Sequence, residues 1–300
     1  MDSSDDFWLR ALAKSLKVLS ATGFGCMGLL ATILYFAQST LIYPSNFPPG
    51  SRTQVPTPDS FDLPYEDVTL DTPDGEKIKL FVIKQQDPEL RRGHTVVVFC
   101  ANAGNMGHRL PIASAFFRVL EYNVVLFSYR GYGLSTGSPS EKGIKVDCDT
   151  VLDYVRHDAD MGASAVVLYG QSLGGAAAID MAVKHEDEIA GLIVENTFRS
   201  IPTLVPSVLP VARYFTFLCH QIWSSETVLP RLTKVPVLFL SGLADELVPP
   251  SHMRALYDGC QAPKMWRSFP GGTHNETITK DGYWTAVIDF ASEYMDKKLE

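Results

Sequence analysis

Positive charge is scarce in this 300-residue chain: 26 Lys and Arg stand against 34 Asp and Glu, a formal net charge of −8. The basic footprint of a nucleic-acid binder is therefore missing, and no nucleic-acid partner is expected. Cysteine is sparse as well, at five residues. With no C-x-x-C and no H-E-x-x-H, neither a zinc framework nor a dense disulfide scaffold is expected. No G-x-G-x-x-G follows the first strand–helix unit, which disfavours a dinucleotide cofactor. No metal and no organic cofactor is expected. Fixed-period repeats and extended low-complexity tracts are absent too. What is plentiful is apolar: 46% of residues are hydrophobic, with 16 Phe, 12 Tyr and 4 Trp. That supplies a large core and excludes a mainly disordered or fibrous chain. An α/β unit of about 200–250 residues forms one domain, so a single domain plus an appendage fits the length.

The appendage is N-terminal. Residues 18–51 contain no Asp, Glu, Lys or Arg, and residues 18–37 are almost wholly apolar or small. About twenty helical residues rise 30 Å, the thickness of a hydrocarbon core. A cleaved signal peptide, using the small residues Ala37 and Ser39, is the alternative. Its apolar region usually runs only about 7–15 residues, so a transmembrane signal anchor over residues 18–43 is expected. Arg10, Lys14 and Lys17 precede the span, while only Arg52 follows closely. The positive-inside rule then keeps residues 1–17 cytosolic and sends the rest across, a single-pass type II orientation. Residues 44–64, rich in Pro, Ser and Thr, read as a linker.

From residue 65 the pattern is that of an α/β fold. Strands at 66–70 and 77–84 flank Thr72-Pro73-Asp74-Gly75, a hairpin signal. Continuous apolar runs follow at 94–100, 123–129, 165–170, 189–195 and 236–241, with a further strand at 264–269. Unbroken runs of this length mark strands covered on both faces, as in a mostly parallel sheet with helices on either side. Between them lie helical stripes. One is Ile144, Cys148, Val151, Leu152 and Val155; another is Trp284, Val287, Ile288, Ala291 and Met295.

Gly170-Gln171-Ser172-Leu173-Gly174 is a G-x-S-x-G between the 165–170 strand and an expected helix over 173–184. A serine there sits on a strained turn with its hydroxyl exposed, and the small residues beside it let strand and helix close up. The residue order Ser, acid, His along such a chain selects the partners. Asp245 lies four residues past the 236–241 strand. His274 alone of the seven histidines follows the last strand, behind Gly271-Gly272. Ser172 is thus the expected nucleophile, His274 the base and Asp245 the orienting acid, with Glu246 or Glu195 as alternatives for the acid. His94, His108, His157, His185, His220 and His252 are read as surface or packing residues. The oxyanion donors expected are the backbone N–H of Leu173 and one from the loop after the third strand, at Asn102 or Ala103. Since the neutral imidazole is the base, activity should rise with pH across the neutral range.

Several segments together carry a resemblance: Leu41-Ile42-Tyr43-Pro44-Ser45, Ala101-Asn102-Ala103-Gly104-Asn105, Tyr129-Arg130-Gly131-Tyr132-Gly133, Gly170 through Gly175, Glu195-Asn196-Thr197-Phe198 and Gly272-Thr273-His274-Asn275. The chain resembles the membrane-anchored α/β-hydrolases of the alpha/beta hydrolase domain-containing protein thirteen type, including fungal bud-emergence-related members. The resemblance covers nearly the whole chain and implies an α/β-hydrolase fold, serine hydrolysis of esters or thioesters, and endomembrane residence such as the endoplasmic reticulum. Palmitoyl-protein hydrolysis has been proposed for relatives. One departure is Cys100, where the family commonly carries His at the start of the oxyanion loop. Cys100 reads as a small buried residue rather than a second nucleophile.

The connection between the 189–195 and 236–241 strands carries Phe198, Tyr214, Phe215, Phe217, Trp223 and four prolines. It reads as a helical lid over about 197–233, with an apolar underside suited to an acyl chain. Ordinary core packing is the alternative. Asn275-Glu276-Thr277, the single glycosylation sequon, adjoins His274 and is expected to stay unmodified. The functional expectation is a membrane serine hydrolase whose partners are an apolar ester or acyl substrate and the lipid bilayer. The alternative is a catalytically weak module acting as a membrane scaffold or lipid binder.

Overall fold

A computed structural model describes residues 3–295; residues 1–2 of the expected cytosolic segment and residues 296–300 of the expected domain lie outside it. Helix α1, Ser3–Ile42, is continuous over 40 residues and so about 60 Å long. Its stretch Leu12–Ile33 is long and apolar enough to cross a membrane, with no part buried inside the protein. That stretch begins earlier than the expected Val18 and takes in Lys14 and Lys17.

The hairpin forms as β1, Glu66–Asp71, and β2, Lys77–Ile83, paired antiparallel. Then follow β3, His94–Phe99; β4, Asn123–Ser128; β5, Ala165–Gln171; β6, Ile189–Glu195; β7, Val237–Gly242; and β8, Lys264–Phe269. Among the described residues these make one eight-stranded sheet in the order β1-β2-β4-β3-β5-β6-β7-β8. β2 joins β4 antiparallel, and every pairing from β4 to β8 is parallel. β3, β4 and β7 are buried at every position. Strands so enclosed must be covered on both faces, which is why their sequences do not alternate.

The covering helices are α2, Pro88–Gly93; α3, Leu110–Val119; α4, Glu141–His157; α5, Leu173–Lys184; α6, Ile201–Val208; α7, Ser225–Val228; α8, Pro250–Gly259; and α9, Tyr283–Tyr294. Ser140 starts α4 by accepting a hydrogen bond from Gly143 N at 3.1 Å, satisfying an amide the helix itself cannot. The expected α4 stripe is its buried face. In α9 the stripe is rotated: Tyr283, Ala286, Val287, Phe290 and Ala291 face inward, while Ile288 is 41% exposed. Two overlapping apolar sets compete on that helix, and the one carrying Tyr283 and Phe290 buries more area.

One segment is tighter than a linker, and the connection between β6 and β7 has the broken-helix form expected of it. Residues 44–64 pack on the domain: Asn105 Nδ2 donates to the carbonyls of Ser51 and Gln54 at 2.9 and 3.0 Å, and Gly104 N donates to Phe47 O at 2.8 Å. Proline enriches tethers, but its fixed φ equally suits a rigid strap. The connection between β6 and β7 is made of broken helices: α6 contains Pro206, and a 3-10 run Pro210–Leu218 precedes α7. Phe198 and Trp223 are buried in the core, whereas Tyr214 and Phe217 face outward.

Candidate active site

Ser172 occupies the turn between β5 and α5 with φ 55° and ψ −120°, a strained backbone for a residue with a Cβ. Its flanks are set by contact. A Cβ on Gly170 would stand 2.2 Å from Gly174 O, one on Gly174 would stand 2.3 Å from Phe99 O, and one on Gly175 would stand 2.6 Å from Thr197 Cβ. The turn therefore fits only where these side chains are missing, and β3 runs directly against it. The Ser172 N–H donates to Glu195 O at 2.9 Å, and Thr197 Oγ1 donates to Ser172 O at 2.7 Å. Leu173, the first residue of α5, has an N–H that precedes the intrahelical ladder.

Asp245 and His274 meet. His274 Nδ1 lies 2.8 Å from Asp245 Oδ2, and both side chains are almost fully enclosed. The other carboxylate oxygen, Oδ1, accepts from Leu247 N at 2.9 Å and Val248 N at 2.8 Å, which fixes the carboxylate plane toward the ring. Glu246 touches His274 only through the backbone N–H, at 3.3 Å. Glu195 is directed elsewhere: its Oε2 accepts from Tyr169 OH at 2.6 Å and Tyr283 OH at 2.5 Å. Ser172 and His274 are 6% and 5% exposed. Gln171, beside Ser172, donates to His274 O at 2.8 Å, so the histidine loop is tied to the serine turn. No hydrogen bond between the Ser172 hydroxyl and the imidazole is present among the described residues. Such bonds are often long in unliganded sites and tighten with substrate.

Several supporting residues carry no signal of their role in the sequence. Arg109 Nη1 donates to Gln171 Oε1 at 2.9 Å, and Gln171 Nε2 also reaches Glu195 Oε1 at 3.2 Å. Asn196, with φ 45°, donates to Thr273 O and to Thr277 Oγ1 and accepts from Gly242 N. The Glu195-Asn196-Thr197 run is thus the bracket that holds the serine turn and the histidine loop together. Burial raises the Glu195 carboxyl above the ordinary carboxylate range.

The loop after β3 is held from behind. Tyr129 OH donates to Cys100 O at 3.0 Å, and Tyr132 OH donates to Asn102 O at 2.9 Å. Cys100 is buried, its Sγ donates to Phe127 O at 3.2 Å, and desolvation pushes its thiol up to about 11. A neutral thiol in that position is packing, not a nucleophile. Asn102 also reaches back to the last turn of α1, its Nδ2 donating to Ile42 O at 3.3 Å.

The family described as serine aminopeptidase, S33 matches residues 94–232. Protein bem46 of Schizosaccharomyces pombe is 48% identical over 263 residues, covering 87% of each chain. The membrane protein YNL320W of Saccharomyces cerevisiae is 46% identical, covering 87% of this chain and 90% of its own. In fold, the esterase Pf2001 of Pyrococcus furiosus is similar with a TM-score of 0.66 at 17% identity, covering 80% of this chain and 94% of its own. The fold is thus that of α/β-hydrolases, and 48% identity to bem46 over 87% of each chain settles the family: the chain belongs to the α/β-hydrolases of the bud-emergence and alpha/beta hydrolase domain-containing protein thirteen type.

Proposed function

We propose that this α/β-hydrolase is a membrane-anchored serine esterase or thioesterase. In this reading Ser172 attacks the acyl carbonyl, its proton passing to His274 Nε2 while Asp245 steadies the imidazolium through Nδ1–H. The N–H groups of Leu173 and of Asn102 or Ala103 receive the oxyanion, a contribution of about 10²–10³ in rate per donor. The tetrahedral adduct collapses to an acyl-enzyme, and the alcohol or thiol leaves with the proton from His274. Water, deprotonated by the same imidazole, then releases the acid. The observation that carries the reading is the Ser172 backbone at φ 55°, bound through the adjacent Gln171 to a histidine whose ring faces Asp245.

Anchoring by α1 is supported by its exposed apolar stretch and by a relative named as a membrane protein. Cleavage near Ala37 would sever contacts the domain uses, since Gln38 Nε2 donates to Leu218 O at 2.7 Å. The charge bias supports a domain across the membrane, in a lumenal endomembrane position. A lumenal domain does not meet cytosolic palmitoylated proteins, so a palmitoyl-protein substrate requires the opposite orientation; protease protection in sealed vesicles separates the two. The chemistry is tested with a fluorophosphonate probe. The native chain should label and Ser172→Ala should not. A folded native chain that fails to label would instead favour the scaffold reading.

A further inference from the structure

A cavity of about 420 Å³ lies between the 197–233 segment and the last turns of α1, within the range of small-molecule sites. Leu204, Val205, Leu209 and Phe215 form one wall, Leu41 and Ile42 the other, and no charged residue lines it. Asn102, in the loop proposed to hold the oxyanion, is part of the same lining. The cavity therefore reaches the loop proposed to hold the oxyanion, though neither Ser172 nor His274 lines it, while one wall belongs to α1. That wall is fastened: Gln38 accepts from His220 N at 2.9 Å besides donating to Leu218 O, and His220 Nε2 meets Tyr35 O at 3.0 Å.

The outer side of the same segment is apolar and unpartnered. Val211 and Phe217 are 66% and 79% exposed. Gln38 lies five residues beyond Ile33, the end of the membrane-compatible stretch, an axial rise of about 7.5 Å that keeps it within the headgroup layer. The exposed residues thus begin where the hydrocarbon ends. Charge agrees with this placement. In a chain of net charge −8, residues 201–219 contain no Asp or Glu and one cation, Arg213; Arg199, just before them, is paired with Glu226 at 2.6 Å. Interfacial segments combine these features, apolar side chains toward the acyl region and Arg toward phosphates.

We infer that residues 201–219 lie on the bilayer and that the cavity receives the hydrocarbon chain of a long-chain acyl ester directly from the adjoining leaflet. This rests on the hydrolase reading for what happens to the ester, but not for where its chain sits. The tail moves from lipid into an apolar cavity without crossing water, and its carbonyl arrives beside Asn102. After hydrolysis the fatty acid leaves by the same route. Short water-soluble esters leave the cavity unfilled and gain nothing from it.

The test uses the full chain in phosphatidylcholine vesicles containing some phosphatidylserine. Ser172→Ala protein is irradiated with palmitic acid bearing a terminal diazirine, and the labelled peptides are identified by mass. Label within residues 38–42 and 201–219 is expected; label confined to residues 12–33 overturns the inference, whatever the catalytic outcome. In parallel, native chain, Leu204→Trp and Phe217→Asp are assayed on 4-nitrophenyl palmitate and acetate. The palmitate-to-acetate ratio of kcat/KM should fall by about tenfold or more in each variant, the scale of a few buried methylenes. An unchanged ratio in both variants overturns the inference. Phe217 is so exposed that its replacement leaves the fold intact. A native chain that hydrolyses neither ester sinks the hydrolase reading alone, because the photolabel still decides where the chain binds.

Discussion

Ser172 sits where a side-chain-bearing residue is strained by about 1–3 kcal/mol, and the glycines around it are the reason the strain persists. Gly170 and Gly174 are strict cases, because their missing Cβ atoms would meet backbone, Gly174 O at 2.2 Å and Phe99 O at 2.3 Å, not the flexible tip of a side chain. Gly174→Ala should therefore push the end of β3 away from the turn and destabilise the fold by about 1–3 kcal/mol. It should also lower fluorophosphonate labelling, since the loop proposed to receive the oxyanion follows β3 directly. Thermal melts and labelling rates read the two effects; a variant with native values in both would show that the strand end yields easily. Glu195 is the other residue whose environment makes a measurable claim. Burial raises its carboxyl above the ordinary value of 4.5. A carboxyl raised in the folded state holds its proton more tightly folded than unfolded, so protonation favours folding. That contribution is full below the unfolded value and is lost as pH rises through the folded one. Glu195→Gln keeps an acceptor for Tyr169 and Tyr283 but cannot ionise. Melting midpoints from about pH 4 to 8 should then fall with pH more steeply for the native chain than for the variant. Parallel curves would remove Glu195 from the pH dependence.

At the scale of elements, strands were legible because enclosure forces a simple rule: β3, β4 and β7 can hold almost nothing but apolar residues, so their runs read directly from the sequence. The serine turn was equally open to reading, since its glycines and its setting between β5 and α5 are local. Less of α9 was legible, because two apolar sets share one helix and only packing chooses between them. The roles of the supporting residues were not legible, although Gln171 and Asn196 lie in segments that carry the family resemblance. Arg109, Gln171 and Asn196 act through hydrogen bonds to backbone atoms distant in the chain, and no spacing rule records such contacts. The Cys100 position illustrates the gap. Its thiol cannot hydrogen-bond as an imidazole would, yet the loop it begins is held by two tyrosine hydroxyls, on the carbonyls of Cys100 and Asn102. Tyr132→Phe leaves Asn102 O without its donor, a loss of about 1 kcal/mol in stability. If that carbonyl fixes the loop's donor, kcat should fall by about tenfold with KM little changed. A rise in KM alone, with kcat native, would mean that the hydroxyl supports binding instead.

Over the whole molecule, the sequence divides into anchor, linker and domain, but the structure joins the three physically. Tyr43, at the foot of α1, is buried; its hydroxyl accepts from Trp223 Nε1 at 2.9 Å and donates to Gln221 Oε1 at 2.9 Å. Gln221 Oε1 in turn accepts from Glu141 N at 2.6 Å, and Glu141 Oε2 accepts from Ile222 N at 2.6 Å. The end of α1, the connection between β6 and β7, and the start of α4 are therefore one hydrogen-bonded unit. A helix used only as a tether needs none of this, so its final turns belong to the domain's own core. Two shortened chains distinguish the views. A chain beginning at residue 34 sheds the membrane-compatible stretch yet keeps Gln38, Leu41, Ile42 and Tyr43. A chain beginning at residue 44 loses them all, strands Trp223 Nε1 without its acceptor and opens the cavity wall. The first should melt close to the full chain; the second should be weaker by about 3–5 kcal/mol, the loss attending removal of a large buried aromatic. It should also lose chain-length preference among ester substrates, because one wall of the cavity is gone. If the two shortened chains melt together and rank the esters alike, α1 is a tether and nothing more, and the bilayer has no structural share in the site.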